Sequence, residues 1–195
     1  MRSAKADRLQ TLYELIQSDG SYRTAGMGST FVPGVGAVEN SPIVLVGEAP
    51  GKEEEKEREP FVGAAGRNLN ALLSSIGLSR DRIFITNLVK YRPLTDSNDN
   101  RSPSAAESRR ALPYLIEELQ ILDPRVVVCL GLSSAKALLK ESSLRMKEAN
   151  AHFFEKHGLI ILVTYHPSPF NYMIAAKREA MEMAFRKLEE FIDEA

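Results

Sequence analysis

Residues 43–51 read IVLVGEAPG: four apolar residues, Ile43 to Val46, run straight into Gly47, Glu48, Ala49, Pro50 and Gly51. A continuous, β-branched run without alternation suits a strand buried on both faces, as in a parallel sheet. Three further runs share the pattern: IFIT at 83–86, VVVCL at 126–130 and IILVT at 160–164. Between them lie stretches with helical spacing. Leu69, Leu72, Leu73 and Ile76 share one face within 61–76, with Gly77 as the stop. Within 104–122, Ser104 and Glu107 make a capping-box pattern ahead of Leu112, Leu115, Ile116 and Leu119. GLSSAKALLK at 131–140 supplies a third helix, and Met181, Phe185, Leu188 and Ile192 stripe a fourth over 173–192. The alternation predicts an α/β fold with a four-stranded parallel sheet covered on both sides.

Working outward, Leu9, Leu12, Tyr13 and Ile16 mark an N-terminal helix, and residues 19–42 form a Gly- and Pro-rich irregular stretch. The organisation expected is one domain over 1–195, with the helix and lead-in at 1–31 and the core at about 32–192. With 44% hydrophobic, 26% charged and 7% aromatic residues, the composition is that of a globular protein. The longest apolar runs fall well short of the roughly 20 residues that span a bilayer, and MRSAKADRLQ has no apolar signal core. A cytoplasmic protein with no membrane partner is expected. The single cysteine, Cys129, excludes an intramolecular disulfide and sits in an apolar run as a core residue. A net charge of -1 gives no global sign of a nucleic-acid partner and leaves room for a local basic surface.

Ligands of open parallel sheets collect at the carboxyl ends of the strands. That singles out GEAPG, NLVKYRP, GLSSAK and YHPSPFNY. A phosphate-binding P-loop is excluded: Gly47 is only four residues before Gly51, and Glu53 follows Lys52 where a hydroxyl is needed. A dinucleotide fingerprint is excluded too, because no G-x-G-x-x-G follows a strand. Glu48 reads either as a solvated turn carboxylate or, with Asn87 and His166 just past other strand ends, as part of a catalytic cleft. Asn87 is either a turn cap or a reader of a polar ring edge. Phe61 is either core or a stacking surface for a base. Lys90, Arg92 and Arg101 form either a solvated basic loop or a set of phosphate contacts. GKEEEKEREP reads as a solvated charged excursion, not a metal site.

Four ordered motifs, VLVGEAPG at 44–51, PFVGAAGRNLNALL at 60–73, IFITNLVKYRP at 83–93 and YHPSP at 165–169, resemble the uracil-DNA glycosylase superfamily. They are most similar to its iron-sulfur branch, family 4, over roughly residues 32–190. The resemblance implies a three-layer α/β/α sandwich around a four-stranded parallel sheet, and hydrolysis of the N-glycosidic bond of uracil in DNA. It implies Glu48 and His166 as catalytic, and Gly47, Ala49, Phe61 and Asn87 as base-binding. Pro50, Gly51, Lys52, Lys90, Arg92, Arg101, Ser168 and Phe170 would contact DNA, with Phe170 or Tyr172 as a wedge into the gap left by the base. A monomer acting on DNA with uracil or another deaminated base is implied.

The chain departs from the family where the cluster would bind. Its N-terminal region has no cysteine, Tyr91 stands at the third ligand position and Ala111 at or near the fourth. Because thiolates are the ligands, no iron-sulfur cluster, no other cofactor and no metal are expected. Packing by the N-terminal helix and Tyr91 is expected to take its place. The alternatives are a weak or inactive damaged-DNA-binding module of the same fold, and a hydrolase of free nucleosides or nucleotides.

Overall fold

The computed structural model describes residues 3–39 and 42–194. Residues 40 and 41 of the expected irregular stretch, and residues 1, 2 and 195 of the expected domain, lie outside the described residues. The described strands are β1 (Val35–Gly36), β2 (Ile43–Gly47), β3 (Phe84–Asn87), β4 (Val126–Leu130), β5 (Phe153–Lys156) and β6 (Leu159–Thr164), in the sheet order β1-β3-β2-β4-β6-β5. The central four, β3-β2-β4-β6, are parallel, as expected from their apolar runs. The sheet is nonetheless mixed and six-stranded, because β1 and β5 pair antiparallel on its two edges. Both escaped the sequence pattern: β1 has only two residues, and β5, FFEK, is largely exposed.

Alternation along each central strand divides the core between two faces. Val44 and Val46 of β2 and Val127 and Cys129 of β4 pack into one cluster. Helices α1 (Ala4–Ser18), α4 (Ala105–Leu122) and α5 (Leu132–Leu139) complete that cluster through Leu9, Leu12, Leu115, Leu119 and Leu138. Ile43 and Leu45 of β2 and Val126 and Val128 of β4 face the other way. There α3 (Ala64–Ser75) and α8 (Ala175–Asp193) cover them with Leu69, Leu72, Phe185 and Leu188. The result is helix, sheet, helix in three layers, with the four central strands buried on both faces.

Local signals set the helix ends. Ser104 accepts from the Glu107 amide at 3.2 Å while the Glu107 carboxylate accepts from the Ser104 amide at 2.7 Å, closing the capping box that starts α4. The charged run after Gly51 is solvated as expected, and it is also helical: Lys52–Glu57 forms a short helix, α2, with no buried residue, whose first turn carries Glu53, Glu54 and Glu55. Acidic residues there complement the exposed amides of a helix start. Two further short helices, α6 (Met146–Ala149) and α7 (Pro169–Met173), flank β5 and β6. No helix among the described residues is long and apolar enough to cross a membrane.

Candidate active site

β2 lies between β3 and β4, so the chain leaves β2 toward one edge and returns to the other side, opening a crevice at the carboxyl ends. The ladder continues past the strands: the Leu88 amide donates to the Gly47 carbonyl at 2.9 Å and the Val89 amide to the Glu48 carbonyl at 3.1 Å. Glu48 is thereby pinned beside the Asn87 turn. On the other side, the Gly131 amide donates to the Thr164 carbonyl at 2.8 Å, holding the β4 exit against the turn that carries His166.

A cleft of about 720 Å³ opens where these turns meet. Glu48, Ala49, Pro50, Gly51, Phe61, Asn87 and His166, all singled out from the sequence, line it together. Gly47 is not part of the lining itself and packs behind Asn87 and Phe61: a β-carbon there would stand 2.3 Å from Asn87 Oδ1 and 2.6 Å from the Phe61 ring, so only glycine lets the amide and the ring approach so closely. The Phe61 and His166 rings lie 5.7 Å apart between centroids at 31°. Gly131 has a φ of 111°, and a β-carbon on it would stand 3.2 Å from the His166 β-carbon.

The turn bearing His166 is secured from three sides. Asn68 of α3 donates to the Pro167 carbonyl at 2.9 Å, and Asn171 to the His166 carbonyl at 3.0 Å. Ser168 caps α7 by accepting from the Asn171 amide at 3.3 Å. Burial holds the His166 imidazole below its ordinary value, opposed by the negative charges of Glu48 and then Glu54. The ring is therefore neutral at pH 7, able to donate from one nitrogen. Phe170 is 72% exposed and Met173 82% exposed on α7, outside the cleft. Lys177 stands 5.2 Å over the Phe170 ring.

The basic residues sort differently from the expectation. Lys90 is a correction: it is only 1% exposed, its ammonium sits 2.6 Å from the Glu118 carboxylate, and it also donates to Thr86 and to the Asn87 carbonyl. It cannot reach a phosphate from there. Arg92 is a second correction, 6% exposed, paired with Glu55 at 3.2 Å and donating to Asn100 and to the Asn98 carbonyl. Arg101 does line the cleft, although its guanidinium is committed to Glu107 at 2.7 and 2.8 Å and to the Gly26 and Leu94 carbonyls. Lys52 is exposed at the start of α2. Sequence reasoning missed Glu54, Asn100, Ser102, Ser133 and Lys136, which extend the cleft wall. GLSSAK stands at the carboxyl end of a predicted strand, and that position is the available signal for Ser133 and Lys136.

The iron-sulfur ligand set implied by family resemblance does not fit these residues. Cys129 is fully buried in β4, its thiol pushed up to about 12 by burial. Tyr91 packs its ring against Tyr22 at 5.9 Å and Phe31 at 5.6 Å, while Tyr22 meets Tyr114 at 5.4 Å and Phe31 meets Tyr13 at 5.5 Å. Ala111 is buried in the same core. Aromatic rings and a methyl occupy this region, and none of them is the thiolate by which an iron-sulfur cluster is held.

The model of the uracil DNA glycosylase superfamily matches residues 33–189. A type-4 uracil-DNA glycosylase of Archaeoglobus fulgidus is 35% identical over 192 residues, covering 93% of this chain and 94% of that protein. Another from Pyrobaculum aerophilum is 44% identical over 167 residues, covering 82% of this chain and 83% of that protein. A type-5 uracil-DNA glycosylase of Pyrobaculum aerophilum is 30% identical over 148 residues, covering 68% of this chain and 63% of that protein.

Proposed function

The chain belongs to the uracil DNA glycosylase superfamily, and from that premise we propose that it hydrolyses the N-glycosidic bond of uracil, or of a related deaminated base, in DNA. The observation that carries the reading is the meeting of Glu48, Phe61, Asn87 and His166 in one cleft at the end of the sheet. A base inside a duplex cannot reach such a cleft, so the nucleotide must be flipped out, at a cost of a few kcal/mol offset by stacking and edge hydrogen bonds.

In this reading Phe61 stacks on the flipped ring, and the Asn87 amide, which offers a donor and an acceptor side by side, pairs with its polar edge. The bond between the sugar C1′ and the base nitrogen breaks, and its electron pair leaves with the base as an anion spread onto a carbonyl oxygen. The neutral His166 ring donates a hydrogen bond to that oxygen, stabilising charge that exists only as the bond breaks. Glu48 holds a water against C1′ and takes its proton as the new C–O bond forms. Gly47 and Ala49 supply backbone against the base, and Pro50, Gly51, Lys52, Arg101 and Ser168 line the path of the strand. Phe170 fills the vacated stack.

The same proposal has the protein working as a cytoplasmic monomer and without an iron-sulfur cluster; the aromatic packing around Tyr91 supports the last of these. Purified protein is expected to carry no iron or sulfide and to lose no activity on chelation. The central experiment is a single-turnover assay on uracil-containing single- and double-stranded oligonucleotides, with alkali to cut abasic sites. Cleavage at the uracil is the expected result. No product with uracil, hypoxanthine or xanthine, together with tight binding to abasic DNA, would replace the enzyme with a damaged-DNA-binding module. Release of base from free nucleosides alone would replace the substrate.

A further inference from the structure

We propose that Arg80 and Glu54 are positioning residues that lock Phe61 as the base platform, by fixing the two peptide planes on either side of its α-carbon. The proposal rests on the reading of Phe61 as a stacking surface. Phe61 adopts a φ of 56°, a conformation that a bulky side chain takes only when its surroundings impose it. Nothing in the local sequence PFVG requires it.

The imposing groups are charged and come from elsewhere in the chain. Arg80, in the short 3-10 turn Arg80–Arg82 ahead of β3, donates to the Pro60 carbonyl at 3.3 Å and to the Phe61 carbonyl. These are the carbonyls of the two successive peptide planes that flank Phe61, so one guanidinium fixes both of its backbone torsions. The guanidinium is itself oriented by Asn70 Oδ1 at 2.7 Å and by Glu59 at 3.7 Å.

Glu54 holds the same turn from its other side. One carboxylate oxygen accepts from the Val62 amide at 3.1 Å and the Gly63 amide at 2.9 Å; the other accepts from the Gly51 amide at 3.2 Å. The peptide joining Phe61 to Val62 is thus held at its oxygen by a cation and at its nitrogen by an anion. Rotating it breaks two charge-assisted hydrogen bonds at once. Through Gly51 the same carboxylate joins the platform to the GEAPG turn that carries Glu48. Helix α3 makes room for the arrangement at Gly66, where a β-carbon would stand 1.7 Å from the Phe61 carbonyl oxygen.

The consequence is a preorganised ring, facing Gly47 and tilted against His166, before any base arrives. The test uses Arg80→Ala, Arg80→Lys, Glu54→Gln and Phe61→Ala in the full chain. Only three histidines are present, so the His166 ring protons are readily assigned by NMR and report the Phe61 ring current. Arg80→Ala is expected to move those resonances toward their positions in Phe61→Ala, with Arg80→Lys restoring part of the shift. The saturated excision rate should fall by roughly 10²-fold in Arg80→Ala. It should fall no further when Arg80→Ala is added to Phe61→Ala, because a residue acting only through the ring has nothing left to position. Unmoved His166 resonances, or losses that add in the double variant, would overturn the clamp. Should Arg80→Ala not fold, Glu54→Gln, which preserves shape and removes the charge, carries the same two readouts. A wild-type protein that excises no base would sink the proposed function, while the NMR shifts would still decide the clamp.

Discussion

Two groups of polar residues gather near the carboxyl ends of the central strands, and they end in opposite situations. Glu48, Asn87 and His166 face a cleft. Lys90, Glu118, Thr86 and Tyr13 turn inward beneath the same strand ends and spend their hydrogen bonds on one another and on the Asn87 carbonyl and Gly34 amide. Tyr13 donates to Glu118 at 2.5 Å, Lys90 to Glu118 at 2.6 Å and Thr86 to Glu118 at 3.1 Å. Among the described residues no buried side-chain nitrogen or oxygen lacks a partner. A polar group whose capacity is spent inside the protein specifies structure; one that faces space retains capacity for a ligand. Substitutions should therefore separate activity from stability along this boundary.

The largest separation is expected at Glu48. Glu48→Gln keeps the shape and removes the group that takes the proton from water, so the single-turnover rate should drop by roughly 10²–10⁴-fold. Stability should change by no more than about 0.5 kcal/mol, since the side chain is at the cleft surface. Equal loss of stability and activity would place Glu48 with the inner group.

Lys90 should show the reverse. Burial pulls its ammonium down from the ordinary lysine range, while the Glu118 carboxylate beside it works to keep it charged. Burial, together with the Glu118 charge, lifts the Tyr13 hydroxyl well above its ordinary value, leaving it a donor. Lys90→Met strands a buried carboxylate and should cost about 3–5 kcal/mol in urea unfolding. Adding Glu118→Leu should recover much of that loss, although Tyr13 then lacks its acceptor. A Lys90→Met protein of normal stability with weakened DNA binding would return Lys90 to the DNA surface.

A smaller effect ties the cleft to pH. His166 should titrate below its ordinary 6.5, because burial disfavours the imidazolium more than Glu48 and Glu54 favour it. The folded protein then binds fewer protons than the unfolded chain in this range, so stability rises with pH. This contribution is fully present above about pH 6.5 and is lost as pH falls through the lower folded value. Glu48→Gln removes a neighbouring negative charge and should lower the His166 midpoint further in an NMR titration. A rise would mean that the two groups do not share the cleft.

The boundary between the two groups explains which parts of the molecule could be read without coordinates. Strands β2, β3, β4 and β6 are legible because burial on both faces leaves continuous apolar runs, and the strand ends then mark Glu48, Asn87 and His166. The strand reading stops at the last backbone residue, however. Beyond it, nothing in NLVKYRP says that Lys90 turns toward Glu118, 28 positions away, while Asn87 turns toward the cleft. Arg80 and Glu54 were invisible for a different reason: their partners are backbone atoms of a turn whose φ no local pattern encodes. Helix α2 was hidden because its acidic first turn resembles a solvated charge run until the helix start it complements is known.

The finest separation contrasts two cations on the same side of the molecule. Lys52 is exposed at the start of α2, whereas the Arg92 guanidinium spends its donors on Glu55, Asn100 and the Asn98 carbonyl. Only a free cation that meets a phosphate releases a counterion, so Lys52→Ala should reduce the slope of log affinity against log salt by about 1. Its melting temperature should be unchanged. Arg92→Ala should leave that slope unchanged and lower the melting temperature, because it strands Glu55 and loosens the loop through Asn98 and Asn100. If instead Arg92→Ala flattens the salt dependence at full stability, hydrogen bonding inside the protein has not spent that charge. Fractional burial would then fail as the rule that divides the two groups.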